Sequence, residues 1–229
     1  NRYINVMKKL QKAIPDFYGK EDITFHELNS DFIATFDLFL KTEAGLCRNT
    51  IVRYMKCFKR ITNMALAKEW MRKDPFYGYK MAQDETDPVF LTYPELKSIM
   101  EKEFTIPRLA LVRDIFVFAA FTGLAFANVS TLTKDNLVQD NNGDWWIRKG
   151  RVKLERRHRA SSVCNIPLLP VPLAILKKYE EHPICRKKSL CLPVICNQRM
   201  NSYLKEIADL CNIRKNLTTH TAKHSKIYI

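Results

Sequence analysis

The sequence predicts a mainly α-helical protein in two units, with a small antiparallel β-sheet set into the second. Three observations carry this. Apolar residues recur at three- and four-residue steps along most of the chain, the period of an amphipathic helix. The period changes between residues 144 and 168, where "DWWIRKG", "RVKLERR" and "SSVCNIPL" are short runs rich in β-branched and aromatic residues behind the turn cluster "DNNGD". Residues 72–92, "RKDPFYGYKMAQDETDPVFLT", hold Pro75, Gly78 and Pro88 with no helical period, so they read as an extended linker with a boundary near residue 85. A chain of 229 residues is long enough to bury two modest cores.

In the first unit, residues 1–85, the apolar positions Ile4, Met7, Leu10 and Ile14, then Phe32, Ile33, Phe36 and Leu40, then Ile51, Tyr54, Met55, Phe58, Ile61 and Ala65 predict a bundle of three or four helices. The third helix, "RNTIVRYMKCFKRITNMALAKEW", sets Arg53, Lys56 and Arg60, with Lys59 alongside, opposite its apolar stripe. No acidic residue interrupts from Arg48 to Lys68, so this face lacks the oppositely charged pairs of an ordinary solvated helix and is expected to meet a phosphate backbone. Arg48, at the start of the helix, is counted with these contacts.

The second unit, residues 86–229, opens with "TYPELKSIM", where Thr92 and Glu95 have the spacing of a capping box and Pro94 sits in the first turn. "LALVRDIFVFAAFTGL" is apolar all round except at Arg113 and Asp114, which predicts a buried central helix. Gly123 ends it, and "AFANVSTLTKDNL" is expected to begin another helix packed across it. Beyond the sheet, helix returns in "VPLAILKKYEEH" and "NSYLKEIADLCN".

Composition narrows the partner. Lys and Arg number 38 against 24 Asp and Glu, a net charge of +14, which points to a polyanion and first of all to double-stranded DNA. No window approaches the apolar length of a membrane span, and "NRYINVMKKLQKAI" is too charged for a signal peptide. The chain opens at Asn1, which predicts a piece of a longer protein. Seven scattered cysteines without a C-x-x-C pair suit reduced, cytoplasmic thiols better than a disulfide framework or a zinc site, so no metal is expected.

Taken in order, "FTGLAFANVSTLTKDNL", a short sheet holding "RVK", then "NIPLLP", "NQRMNSYLKEIADLCNI" and "LTTHTAKH" resemble the tyrosine recombinases, and more closely the integrases of conjugative transposons and related mobile elements of gut anaerobic bacteria. The resemblance spans nearly the whole chain. It implies a helical core-binding domain over residues 1–85 and a catalytic domain over residues 86–229, incomplete at its C-terminus, with an arm-binding domain expected upstream. It also implies cofactor-free phosphoryl transfer: a tyrosine attacks a DNA phosphodiester and forms a 3′-phosphotyrosine, and the freed 5′-hydroxyl later attacks a partner strand. The implied partners are duplex DNA and further protomers, up to a tetramer on DNA, in a bacterial cytoplasm at the nucleoid, with no membrane and no small-molecule substrate.

Carried over position by position, the resemblance makes Lys153, in "RVK", the sheet lysine that protonates the leaving oxygen, with Arg151 beside it on the DNA. His220 begins the family's His-x-x-Arg as a phosphate-contacting donor, and His224 matches the catalytic-site histidine that commonly follows that arginine. Two departures stand out. Ala125 occupies the place of the first family arginine, and Lys223 that of the second, where a point cation replaces a bidentate fork. Two readings of Arg113 follow from the sequence: a substitute phosphate ligand, or a buried cation paired with Asp114 or Glu95. Tyr228, in "KIYI", resembles the surroundings of the family nucleophile, yet it lies only five residues after Lys223, which suits a packing tyrosine. Two functions follow from the resemblance, an integrase of a mobile element or a disarmed relative that only binds DNA.

Overall fold

The computed structural model describes residues 2–150 and 163–225, and the chain divides into two compact units, Asn1–Thr86 and Asp87–Ile229. The first unit contains α1 (Arg2–Tyr18), α2 (Ser30–Thr42) and α3 (Arg48–Ala67). Its core is aromatic: Phe36 meets Phe58 edge-on at 5.7 Å, and Phe58 meets Phe76 edge-on at 5.6 Å. Aromatic pairs in this geometry stabilise beyond the area they bury. Phe76 is 1% exposed, so residues expected to form a free linker are core residues of this unit.

The register of α1 also differs from expectation. Val6, Ala13 and Ile14 face inward, while Ile4 and Met7 are exposed. An inward stripe through Val6, Leu10, Ala13 and Ile14 has the same helical period, and period alone does not decide between neighbouring stripes.

The second unit is built around α5 (Pro107–Thr122), where every residue from Asp114 to Thr122 is buried. α4 (Tyr93–Glu101) starts with the capping box of Thr92 and Glu95. α7 (Pro170–Tyr179), α9 (Asn197–Leu210) and α10 (Thr219–His224) pack against α5, and α8 (Pro183–Lys188) is a short turn of helix between α7 and α9. Gly123 ends α5 with φ 65°, a left-handed conformation that glycine reaches without strain.

The helix expected after Gly123 is only α6 (Phe126–Val129). Thr131 turns its hydroxyl back on the Ala127 carbonyl at 2.8 Å, and Thr133 with Asn136 caps a separate 3-10 turn. Hydroxyl side chains that compete for backbone groups in this way stop a helix. The sheet has the order β1 (Leu137–Gln139), β2 (Trp145–Gly150), β3 (Val163–Pro167), antiparallel throughout, with Ile147 opposite Leu137 and Ile166. β1 was not expected, because a three-residue strand has no readable alternation. The predicted strand "RVKLERR" lies outside the described residues. Among the described residues no helix is long and apolar enough to cross a membrane.

Candidate functional site

α10 is too short to hold its own shape and is fixed by its neighbours. The Thr218 side chain accepts from the Thr221 backbone N–H, closing a capping box at the start of the helix. From α9, Asn201 accepts the Thr219 backbone N–H at 2.9 Å and Asn197 accepts the Thr219 hydroxyl at 2.8 Å. At the other end Ser225 donates to the Thr221 carbonyl at 2.8 Å and accepts from the Leu91 backbone N–H at 2.7 Å. The two asparagines were missed in the sequence. Their only signal is an i, i+4 repeat of a weak helix former in "NQRMN".

Thr221 and Ala222 are buried, and this turns His220, Lys223 and His224 to one exposed side of α10. The two imidazoles meet edge to face at 4.5 Å with Nε2 to Nε2 at 3.0 Å. One nitrogen must donate and the other accept, so protonating both rings opens the contact. A phosphate oxygen reaching this face would find a lysine cation and an imidazole N–H within one helical turn.

Next to α10 lies the α5–α6 turn. A narrow crevice lined by Phe116, Phe126, Val129, Met200, Thr219 and Ala222 joins the start of α6 to the start of α10. Ala125 is the N-cap residue of α6, so the position of the first family arginine borders this corner and supplies no charge to it. Arg113 is engaged within the unit. Its Nε donates to Asp114 at 2.7 Å and its Nη1 to the carbonyls of Lys102 at 2.8 Å and Met100 at 3.2 Å. A guanidinium left only 17% exposed requires such partners, and of the two carboxylates expected Asp114 is the one it meets, which favours the paired-cation reading over the phosphate ligand. Asp114 also accepts from Lys178 at 2.7 Å and from the Tyr179 hydroxyl at 2.8 Å, which joins α5 to α7. Burial, and then this hydrogen bond to Asp114, push the Tyr179 hydroxyl well above the usual phenol range.

Lys153, Arg151 and Tyr228 lie outside the described residues. At the near end of the same sheet, Lys149 of β2 donates to the Thr131 carbonyl at 2.7 Å and to Asn136 at 3.0 Å, tying the sheet to the turn after α6. Among the described residues no group of three His, Cys, Asp or Glu is placed to hold a metal ion.

The first unit carries the other candidate surface. Arg53, Lys56 and Arg60 are exposed along α3. Lys59 lies 3.6 Å from Asp74 and over the Phe76 ring, so part of its charge is neutralised within the unit. Arg48, expected on the DNA, is engaged within the unit. Its Nη1 pairs with Asp37 at 3.1 Å, its Nε donates to the Ala82 carbonyl at 3.2 Å and its Nη2 to the Lys80 carbonyl at 3.1 Å. The planar fork of donors suits a cluster of carbonyls as well as it suits phosphate, and the chain returning past α3 supplies the carbonyls.

Residues 1–81 match the model of the phage integrase SAM-like domain. The fold is similar to that of a lambda integrase dimer bound to a COC′ core site, at 15% identity and a TM-score of 0.72, covering 97% of this chain and 77% of that one. It is similar to the Tn1549 transposon integrase in complex with circular intermediate DNA, at 16% identity and a TM-score of 0.70, covering 98% of this chain and 80% of that one. It is also similar to the XerH site-specific recombinase bound to a palindromic difH substrate, at 16% identity and a TM-score of 0.68, where the chain spans 66% of that relative. No curated protein sequence matches.

Proposed function

From a chain that has the tyrosine-recombinase fold and opens with a phage integrase SAM-like domain, we propose that this protein binds duplex DNA and belongs to the machinery that cuts and rejoins it at a specific site, in the manner of mobile-element integrases. The observation that carries this reading is the exposed cluster of His220, Lys223 and His224 on α10, beside the α5–α6 turn. The cluster supplies donors and one cation to the non-bridging oxygens of a phosphodiester, where charge grows in the transition state. In the proposed reaction a tyrosine oxygen bonds to phosphorus, the bond to the 5′-oxygen breaks, and Lys153 returns a proton to that oxygen. We place the DNA partner on the Arg53, Lys56 and Arg60 face of α3, with Arg151 as a further contact, and the working assembly as several protomers on one DNA in a bacterial cytoplasm. The lambda integrase tetramer bound to a Holliday junction supports an assembly of that kind.

A second reading is favoured by specific observations. Ala125 brings no cation, Lys223 no fork, and Arg113 is held by Asp114, so the protein would grip DNA and leave the cutting to another chain. One experiment separates the two. A nicked duplex carrying the crossover site is incubated with the protein without metal and run on a denaturing gel. A protein-linked DNA band supports the recombinase, and its loss in Tyr228→Phe would make Tyr228 the nucleophile. Retarded DNA on a native gel with no covalent band, also when the reading frame is extended past Ile229, supports the DNA-binding relative.

A further inference from the structure

The strands of chain just before the unit boundary are fastened down by side chains that the proposed DNA contacts do not need. Arg48 holds the carbonyls of Lys80 and Ala82, as described above. Its neighbour Asn49 makes a two-bond pair with the backbone of Asp84: Nδ2 donates to the Asp84 carbonyl at 3.0 Å and Oδ1 accepts the Asp84 N–H at 2.9 Å. Tyr79 donates its hydroxyl to Asp37, which in turn holds Arg48, and Tyr79 packs edge-on against Phe76 at 5.8 Å. Met81 is half-buried against the same core. On the other side of the boundary the first buried residue of the second unit is Leu91, 4% exposed, with its N–H on Ser225. Residues 85–89 between these anchors are all exposed and make no hydrogen bond or ion pair among the described residues.

We infer that Arg48 and Asn49 are specificity-determining residues that act through chain length: by fastening residues 80–84 to α3 they set how far apart the two DNA segments gripped by the two units can lie. This rests on the DNA-binding reading above. From Cα of residue 84 to Cα of residue 91 the chain can span at most about 25 Å, whereas from residue 81, still packed on the core, it could span about 36 Å. The difference of roughly 11 Å equals about three base pairs of helical rise. Two binding modules on a short tether act together only where their sites match its span, and a longer tether relaxes that match.

The test is selection of bound sequences from a randomised duplex pool by the full chain. The wild-type protein is expected to enrich two sequence elements with a sharp upper limit on their spacing, because a tether that cannot span two sites gives them no joint affinity. The double variant Arg48→Ala, Asn49→Ala is expected to raise that limit by about three base pairs. Because that variant also removes a cation, a second protein keeps both residues and carries a Gly-Ser insert, equal in length to residues 82–84, between Glu85 and Thr86. It must raise the limit in the same way. An unchanged limit in either variant overturns the inference while leaving DNA binding intact; a higher limit in the double variant alone traces the effect to lost charge. If no sequence is enriched by the wild-type protein, the DNA-binding reading itself has failed.

Discussion

Asp114 joins Arg113, Lys178 and Tyr179 inside the second unit, and it shows how a single residue decides between structure and chemistry. Removing it strands a guanidinium that is largely out of water, while Lys178 is half exposed and can turn to solvent. Asp114→Ala is therefore expected to destabilise the unit by about 3 kcal/mol, the cost of breaking one partner from a buried pair. Urea unfolding measures it, and a loss below about 1 kcal/mol would mean that the Met100 and Lys102 carbonyls suffice for Arg113. At Lys223 the expectation runs the other way. Lys223→Arg restores a fork that can hold two phosphate oxygens, and formation of the covalent complex on a nicked duplex should rise roughly tenfold, the effect of about 1.4 kcal/mol. An unchanged rate would show that a point charge is enough at this position. The sequence exposed the Lys223 substitution but left Arg113 open between two partners, because the choice depends on which carbonyls fold back over α5 and no local pattern encodes that.

Elements were legible where one helix makes its own case. The buried α5, its glycine stop at Gly123 and the capping box at Thr92 all follow from local rules. The fastened segment 79–84 was not legible, because it has no period of its own and is held by side chains more than thirty positions away in sequence. Its chemistry gives a measurable signature. Burial, and then donation to Asp37, raise the Tyr79 hydroxyl to about 12, against the opposing charge of Arg48. The favoured form is the neutral phenol, so the stabilisation is present below the ordinary phenol value of 10.0 and is lost as pH climbs towards about 12. Tyr79→Phe should remove one late component from an alkaline absorbance titration and leave that of Tyr179 in place. A late absorbance change of undiminished amplitude in that variant would show that Tyr79 is not one of the delayed phenols.

For the molecule as a whole, the net charge of +14 was the plainest signal in the sequence, and it predicts how binding responds to salt. The logarithm of duplex affinity should fall linearly with the logarithm of salt concentration, and Arg53→Ala and Arg60→Ala should each lower that slope by about one. A shallow slope, little changed by either variant, would make the basic surplus incidental. Charge indicates the partner but not the chemistry. For that the sequence offered short motifs, and it is the packing of α10 by Asn197, Asn201 and Ser225 that turns one of them into an exposed cluster.

The bond from Leu91 to Ser225 closes a loop of 134 residues. During synthesis the chain emerges from its N-terminus, and local bundles fold before contacts distant in sequence can form. The first unit, with its basic helix, can therefore be complete on the ribosome while α10 still has no anchor. On the proposed function, a nascent chain would acquire its grip on DNA well before His220 and His224 are in place, so a polypeptide released early would be inert towards the strand it holds.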